Sequence, residues 1–235
     1  MHTRGDDPEI SARMGAAMPL ILNFHGVGPA LRAIGEHESR AWLAPEFFET
    51  ILDVARGHPQ VAFTVDDGNL SDFTHIAPAL VKRGLCATFF VCSGRLEQSA
   101  FLNRDQLRAL RSEGMMIGSH GVGHVAWRGL SPENLRAELE TSRGVLEEAC
   151  GGPIDEAACP FGAYDRKVLA AARRAGYRRL YTSDGGAYEP GNWVVPRVTV
   201  TRMMSLDDVS SLLGNDSKYL RKKMIQAKML VKKLR

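Results

Sequence analysis

Short apolar segments of strand-forming residues alternate with longer amphipathic segments along most of this chain, and this alternation restricts its fold more than any other feature. The apolar segments lie at 19–24, 61–65, 86–91, 115–118 and 178–182. Between them, apolar residues recur at helical spacing, most clearly in 45–55, 104–113 and 132–150. Parallel strands need a crossover connection, which is usually a helix. The alternation therefore predicts an α/β fold in which helices cover a parallel sheet.

An acidic pair follows one of these strands directly. The segment 61–65 runs into Asp66, Asp67 and Gly68. A buried strand that ends here presents both carboxylates at the rim of the sheet. Adjacent like charges repel each other, so the pair is unfavourable unless a cation holds one carboxylate and leaves the other free as a base. The plain alternative is a strand followed by an Asp-Gly turn, which is common.

Two histidines four residues apart follow the segment 115–118. His120 and His124 enclose Gly121 and Gly123, which favour a loop over a helix. Both imidazoles can reach one ion, and two His with one Asp leave coordination positions open, as in sites for zinc and other first-row metals. The histidine pair alone is weak support for a metal site, because surface histidines are common. The acidic pair at another strand end strengthens the case for a metal site.

The third chemically informative segment is 158–165, Ala-Cys-Pro-Phe-Gly-Ala-Tyr-Asp. Its first five residues resemble the third motif, Arg-x-Pro-Tyr-Gly, of the polysaccharide deacetylases, the NodB-type carbohydrate esterases. Residues 64–68 resemble the first motif of that family, Thr-Phe-Asp-Asp-Gly, and 120–124 the second, His-Ser/Thr-x-x-His. The resemblance covers residues 19–200 in the family's order. Three motifs in register are far more specific than any one of them.

The resemblance implies a distorted (β/α) barrel with its site at the carboxyl ends of the strands. It implies a metal-dependent hydrolase that removes N-acetyl groups from an amino sugar, an N-acetylated polysaccharide or a glycan intermediate, releasing acetate. In that case Asp67, His120 and His124 hold a divalent ion. The resemblance favours zinc, with cobalt or nickel as alternatives. Asp66 is the catalytic base, and the backbone N–H of Phe161 stabilises the oxyanion.

The chain departs from the family pattern at several positions. Ala158 replaces the Arg of the third motif, and Gly121 replaces the Ser or Thr of the second, although Ser119 lies nearby. In the family these groups orient ligands and base, so their loss puts the rate and the metal affinity in doubt. Asp184 and Arg197 are further candidates to orient groups of the site.

The family's late Leu-x-His motif, the source of its general acid, has no counterpart, and Val-Pro-Arg occupies 195–197 instead. Members with a permuted motif order, similar to the poly-N-acetylglucosamine deacetylases, carry this histidine on an N-terminal strand. The segment 22–25, Leu-Asn-Phe-His, resembles that strand. His25 is therefore the candidate general acid, and a loop histidine without a role is the alternative.

Two rival functions stay open. One is a catalytically silent carbohydrate-binding module on the same barrel, since fold does not determine function. The other is a metal-independent amide hydrolase of the superfamily, which would be expected to lack metal ligands. The complete set of Asp66, Asp67, His120 and His124 argues against the first, because an inactive copy need not keep four titratable groups. The metal content of the purified protein would separate these functions.

Length and composition predict one globular domain, with 235 residues of which 44% are hydrophobic. We expect an extension over 1–18, a catalytic domain over 19–213 and a basic amphipathic helix over 214–235. Residues 1–17 contain no apolar run long enough for a signal peptide or a membrane span. The four cysteines lack metal-site spacing, which favours free buried thiols and a cytoplasmic location.

The C-terminal segment is strongly basic, with eight Lys or Arg and one acidic residue from 216 onward. Leu220, Met224 and Val231 fall on one side of a helix there. This pattern predicts peripheral contact with anionic membrane, at the inner face. A terminal helix packed on the barrel fits the pattern equally well. No nucleic-acid recognition motif is present, so no nucleic-acid partner is expected.

Overall fold

The computed structural model describes residues 18–214 and, beyond them, Met229 and Lys232. Their strands are β1 Leu20–Phe24, β2 Gly26–Val27, β3 Trp42–Leu43, β4 Val61–Asp67, β5 Ala87–Val91, β6 Met116–Ser119, β7 Glu156–Ala158, β8 Arg179–Thr182, β9 Val194–Pro196 and β10 Val198–Thr199. The α-helices are α1 Glu36–Ser39, α2 Pro45–Ala55, α3 Ala77–Val81, α4 Arg104–Ser112, α5 Pro132–Arg136, α6 Ser142–Cys150, α7 Arg166–Arg174 and α8 Leu206–Leu213. There are π-helical turns at Asp72–Ile76 and Ala137–Thr141 and 3₁₀ turns at Ser93–Arg95 and Pro160–Gly162.

Eight of these strands form one parallel sheet in the order β10-β1-β4-β5-β6-β7-β8-β9, and β2 pairs with β3 separately. Only Arg197 separates β9 from β10. Nevertheless, β9 pairs with β8 at one edge of the sheet and β10 pairs with β1 at the other. One bent segment therefore joins the two edges and nearly closes the sheet. The predicted distorted (β/α) barrel is confirmed.

Most helix boundaries lie within a residue or two of the predicted ones. Asn103 and Gln106 form a capping box at the start of α4, where each side chain bonds to the other residue's backbone N–H. The predicted helix 132–150 is present, but the π-helical turn Ala137–Thr141 interrupts it. Such a turn changes the direction of the side chains, and hydrophobic spacing alone does not reveal it.

Period-two alternation along the strands divides the buried side chains between two cores. On β1, Leu20 and Leu22 belong to the large cluster between sheet and helices, whereas Ile21 belongs to a small one with Phe90 and Tyr181. Buried polar side chains adjoin the second cluster, which lies on the opposite side of the sheet from the helices. They are Asn23, Thr64, Asp66 and Arg197. The candidate site is built on this polar region.

All four cysteines are free, as expected. Cys92, Cys150 and Cys159 are buried, but Cys86 is exposed, so the prediction of buried thiols is wrong for that residue. Cys86 precedes β5 instead of lying within it, which leaves its side chain outside the sheet. Among the described residues, no helix has the length and apolar character needed to span a bilayer.

Candidate metal and catalytic site

The acidic pair lies at the end of β4, as predicted. Asp67 has a φ of 83° and Gly68 a φ of 71°, so the chain turns sharply there through left-handed conformations. A side chain at Gly68 would place its Cβ 2.8 Å from Val91 Cγ1, so only glycine fits against β5. The turn directs the Asp66 and Asp67 carboxylates to the same buried region, although neighbouring residues of a regular strand point in opposite directions.

The two histidines meet Asp67 at this rim. His120 Nε2 lies 3.6 Å and His124 Nε2 lies 3.0 Å from Asp67 Oδ1. On the far side of its ring, His120 Nδ1 donates to the carbonyl oxygen of Ala158 at 2.8 Å. A carbonyl can only accept, so Nδ1 carries the hydrogen and the Nε2 lone pair faces Asp67. One ligand atom from each of the three residues lies within 4.8 Å of the other two.

The donor set fits a divalent cation. Asp67 Oδ1 is buried and makes no hydrogen bond of good geometry among the described residues, although His124 Nε2 lies 3.0 Å away. A buried carboxylate in this state is costly unless a cation neutralises it. Burial would raise the pKa of Asp67, but the imidazoles of His124, His25 and His120 hold it below its ordinary range. Burial lowers the pKa of His120 to about 4, against the effect of the two carboxylates, and so favours the neutral form that binds metals.

Asp66 makes a different set of contacts. Arg197 donates to Asp66 through Nη1 at 2.6 Å to Oδ1 and Nη2 at 2.8 Å to Oδ2, and Asn23 Nδ2 donates at 3.0 Å. Burial raises the pKa of Asp66, but the Arg197 charge, with smaller effects from His120 and His25, outweighs it and lowers this pKa to about 2. Asp66 is therefore a carboxylate at neutral pH.

Arg197 is the guanidinium that pairs with Asp66 in this chain. It is 1% exposed and lies between β9 and β10, within cation–π distance of Phe90 and Tyr181. Ala158, which occupies the family's Arg position, packs instead in the small cluster with these aromatic rings. The structure thus supplies a guanidinium to Asp66 from a different strand end, so the expected loss of an orienting group at Ala158 does not leave the carboxylate unpaired.

His25 lies beside Asp66. Its Nε2 is 3.9 Å from Asp66 Oδ2, and 21% of its side chain is exposed. Its Nδ1 is buried without a hydrogen-bond partner among the described residues. Asn69, just after the acidic pair, donates to the His25 carbonyl at 3.3 Å and so links the two loops. The first strand therefore delivers a histidine to the rim, as the sequence predicts.

Phe161 occupies a strained and exposed position next to the histidines. It has φ 59° and ψ 8°, the residue is 60% exposed, and its ring centroid lies 4.6 Å from that of His124. The described chain has only four non-glycine residues with positive φ, and Asp67, His124 and Phe161 are three of them. Such backbone strain concentrates at functional sites, where surrounding contacts enforce it.

Two other predicted residues contact the loops of the site but neither carboxylate of the acidic pair. Ser119 Oγ accepts the Gly121 N–H at 3.2 Å. Asp184 accepts the Tyr164 hydroxyl at 2.8 Å and Lys232 Nζ at 2.5 Å. The same Lys232 donates to the Gly162 carbonyl in the turn that carries Phe161. Asp184 is therefore linked to that turn through Lys232, and its role in the site stays a prediction.

Lys232 and Met229 are the described residues of the basic segment for which membrane contact is predicted. Met229 packs against the large core, and Lys232 binds Asp184. Both contacts are made with the barrel, as expected for a terminal helix packed on it. Leu220, Met224 and Val231 lie outside the described residues, so membrane contact stays a prediction.

The comparisons with known proteins identify the family of the chain. The sequence model of the family described as polysaccharide deacetylase matches residues 53–180, more than half of the chain. The chain belongs to the polysaccharide deacetylase family. Membership makes it a hydrolase of the carbohydrate N-deacetylase class. A relative from Bacillus subtilis (strain 168), YxkH, is named a polysaccharide deacetylase and is 28% identical over 213 residues, 83% of this chain and 76% of its own length.

Solved structures of deacetylases share the fold. The Streptococcus pyogenes deacetylase PplD, in complex with acetate, superposes with a TM-score of 0.72 at 20% identity and covers 84% of this chain and 98% of its own. IcaB from Ammonifex degensii gives 0.73 at 22% identity, covering 84% and 97%. At these identities the likeness concerns the barrel. The roles of individual residues must be argued from this chain.

Proposed function

We propose that this deacetylase is metal-dependent and removes N-acetyl groups from hexosamine residues of a glycan, releasing acetate. The observation that carries the proposal is the convergence of Asp67, His120 and His124 around a buried carboxylate oxygen that makes no hydrogen bond of good geometry among the described residues. These three residues would hold the ion, and the neutral imidazole of His120 suits zinc, cobalt or nickel.

The bound ion would supply water activation and polarisation of the amide carbonyl. The protein supplies the proton transfers. Asp66 accepts a proton at Oδ2, the oxygen that lies 3.9 Å from His25 Nε2 and 4.0 Å from His120 Nε2. Its bidentate pair with Arg197 keeps the carboxylate deprotonated and fixed in orientation.

His25 donates a proton to the leaving amine nitrogen through Nε2. An amide nitrogen leaves slowly unless it is protonated, and an imidazole is a suitable donor near neutral pH. The backbone N–H of Phe161 stabilises the negative charge that develops on the acetyl oxygen. The exposed ring of Phe161 lies beside His124 and offers a flat apolar surface to a sugar.

The rival functions predict different behaviour. A silent carbohydrate-binding module would bind glycans without releasing acetate, and a metal-independent hydrolase would release acetate without a bound ion. The buried ion pair of Asp66 with Arg197 favours an active enzyme, because a binding module needs no oriented carboxylate at this depth.

Acetate release from a panel of N-acetylhexosamine oligomers, with and without chelator, separates these functions. We expect release that chelation abolishes and that zinc or cobalt restores. Full activity after exhaustive chelation would contradict metal dependence, and glycan binding without acetate release would support the silent module. Cytoplasmic location and contact of the C-terminal segment with anionic membrane are further proposals, independent of this test.

A further inference from the structure

The loop between the two histidines is fixed by contacts to its backbone. The N–H of Gly121 donates to Ser119 Oγ, and its carbonyl accepts from the backbone N–H of Ser93 at 2.9 Å and from the Ser142 hydroxyl at 2.9 Å. The Val122 carbonyl accepts the N–H of Gly94 at 3.0 Å. The loop is rich in glycine and would be mobile on its own, so these contacts determine where the histidines point.

A single carboxylate holds the remaining two N–H groups of this loop. Glu138 Oε2 accepts from Val122 N at 2.8 Å, and Glu138 Oε1 accepts from Gly123 N at 3.1 Å. Glu138 is the one charged side chain among the described residues that bonds to the backbone of 121–123. Hydrogen bonds to an ionised acceptor are roughly twice as strong as neutral ones, so this contact is a principal anchor of the loop.

The close approach of Glu138 also explains why position 121 is a glycine. A Cβ at Gly121 would clash with Glu138 Oε2 and lie 3.0 Å from Trp127 Nε1, and the φ of Gly121 is 80°. The π-helical turn Ala137–Thr141 contains Glu138 and is followed at once by Ser142, so both residues reach the loop from one short segment. Turns of this type occur frequently at functional sites.

We propose that Glu138 is a positioning residue for the metal site, which fixes the separation and orientation of His120 and His124 through the backbone between them. This takes over the orienting role that the family's Ser or Thr would have at Gly121. The inference rests on the proposed ligand set of Asp67, His120 and His124. The hydrogen bonds of Glu138 among the described residues go to the backbone of Val122 and Gly123 and not to the side chains of the three ligands, so it acts through the loop.

The test compares Glu138→Ala and Glu138→Gln with Glu140→Gln as a matched control. Glu140 is exposed on the same π-helical turn and loses the same charge in the control. Zinc affinity is measured by competition with a chromophoric chelator, and the visible spectrum of the cobalt-loaded protein reports the ligand geometry. KM and kcat are measured in excess zinc.

We expect Glu138→Ala to weaken zinc binding by about 10- to 100-fold, the usual effect of removing a group that orients metal ligands. It should also alter the cobalt spectrum and leave KM unchanged. Glu138→Gln should fall between Glu138→Ala and the wild type, because the amide oxygen can still accept from Val122 N. Glu140→Gln should match the wild type.

The outcomes separate the inference from the proposed function. A wild-type protein that binds no zinc would contradict the ligand set itself. A zinc-binding wild type with Glu138→Ala equal to it in affinity and cobalt spectrum would overturn the role of Glu138 alone. If Glu138→Ala does not fold, Glu138→Gln decides, and a zinc affinity equal to that of Glu140→Gln would overturn the inference.

Discussion

Replacing Arg197 by Met tests whether this guanidinium is the partner that keeps Asp66 ionised. Arg197 is 1% exposed and donates hydrogen bonds to Asp66 through both of its terminal nitrogens. Removing one partner of a buried ion pair leaves an uncompensated charge and destabilises the fold by about 3–5 kcal/mol. We expect Arg197→Met to lose about that much free energy of unfolding at pH 7, measured by urea denaturation of the metal-free protein.

The double variant Asp66→Asn/Arg197→Met is the control for loss of packing. It removes the charge that Arg197→Met leaves unpaired, so it should be more stable than the sum of the two single changes predicts. A double variant with strictly additive losses would refute the reasoning, because the two groups would then contribute independently.

The pH dependence gives a second check with a definite sign. The pKa of Asp66 is lowered from 3.8 to about 2 in the folded protein, so the group stabilises the fold above pH 4 and loses this contribution as pH falls through 2. The shift corresponds to about 2 kcal/mol in all, of which about 1 kcal/mol is lost at pH 3. The stability difference between wild type and Arg197→Met should therefore shrink between pH 5 and pH 3. A constant difference would contradict the assignment.

Three further predictions concern the catalytic groups and the C-terminal segment. Asp66→Asn should keep metal content and lose turnover, and equal loss of both would make Asp66 a metal ligand. His25→Ala should lower kcat by about 10²- to 10⁴-fold with unchanged metal content, since it removes the proposed proton donor. It should also remove the alkaline limb of the pH–rate profile. If the alkaline limb persists in this variant, another residue is the general acid. A chain ending at Asn215 should co-sediment less with anionic vesicles than the full chain, since it lacks the basic segment. Equal co-sedimentation would exclude membrane contact through this segment.

The amino-acid sequence by itself determined five of the eight barrel strands, which are β1, β4, β5, β6 and β8, together with the helical segments 45–55, 104–113 and 132–150 and the side chains that follow those strands. Hydrophobic spacing is a local property, and capping residues such as Asn103 mark the helix ends without tertiary contacts. The carboxyl ends of parallel strands meet at one edge, so Asp67 and His120 could be expected to lie together once both were placed after strands. That is why the convergence of these candidate ligands was predictable.

The tertiary structure alone decided which groups support these residues. Asp66 and Arg197 are 131 positions apart in the chain, and they meet because the segment around Arg197 joins both edges of the barrel. Glu138 reaches the histidine loop through a π-helical turn that leaves no mark in the hydrophobic spacing. The left-handed backbone of Phe161 likewise depends on its surroundings, since an isolated phenylalanine avoids this conformation. Local sequence patterns encode helices, strands and the residues at their ends. Barrel closure and the anchoring of the histidine loop depend on contacts between segments that are distant in the chain, and a local pattern contains no information about such contacts.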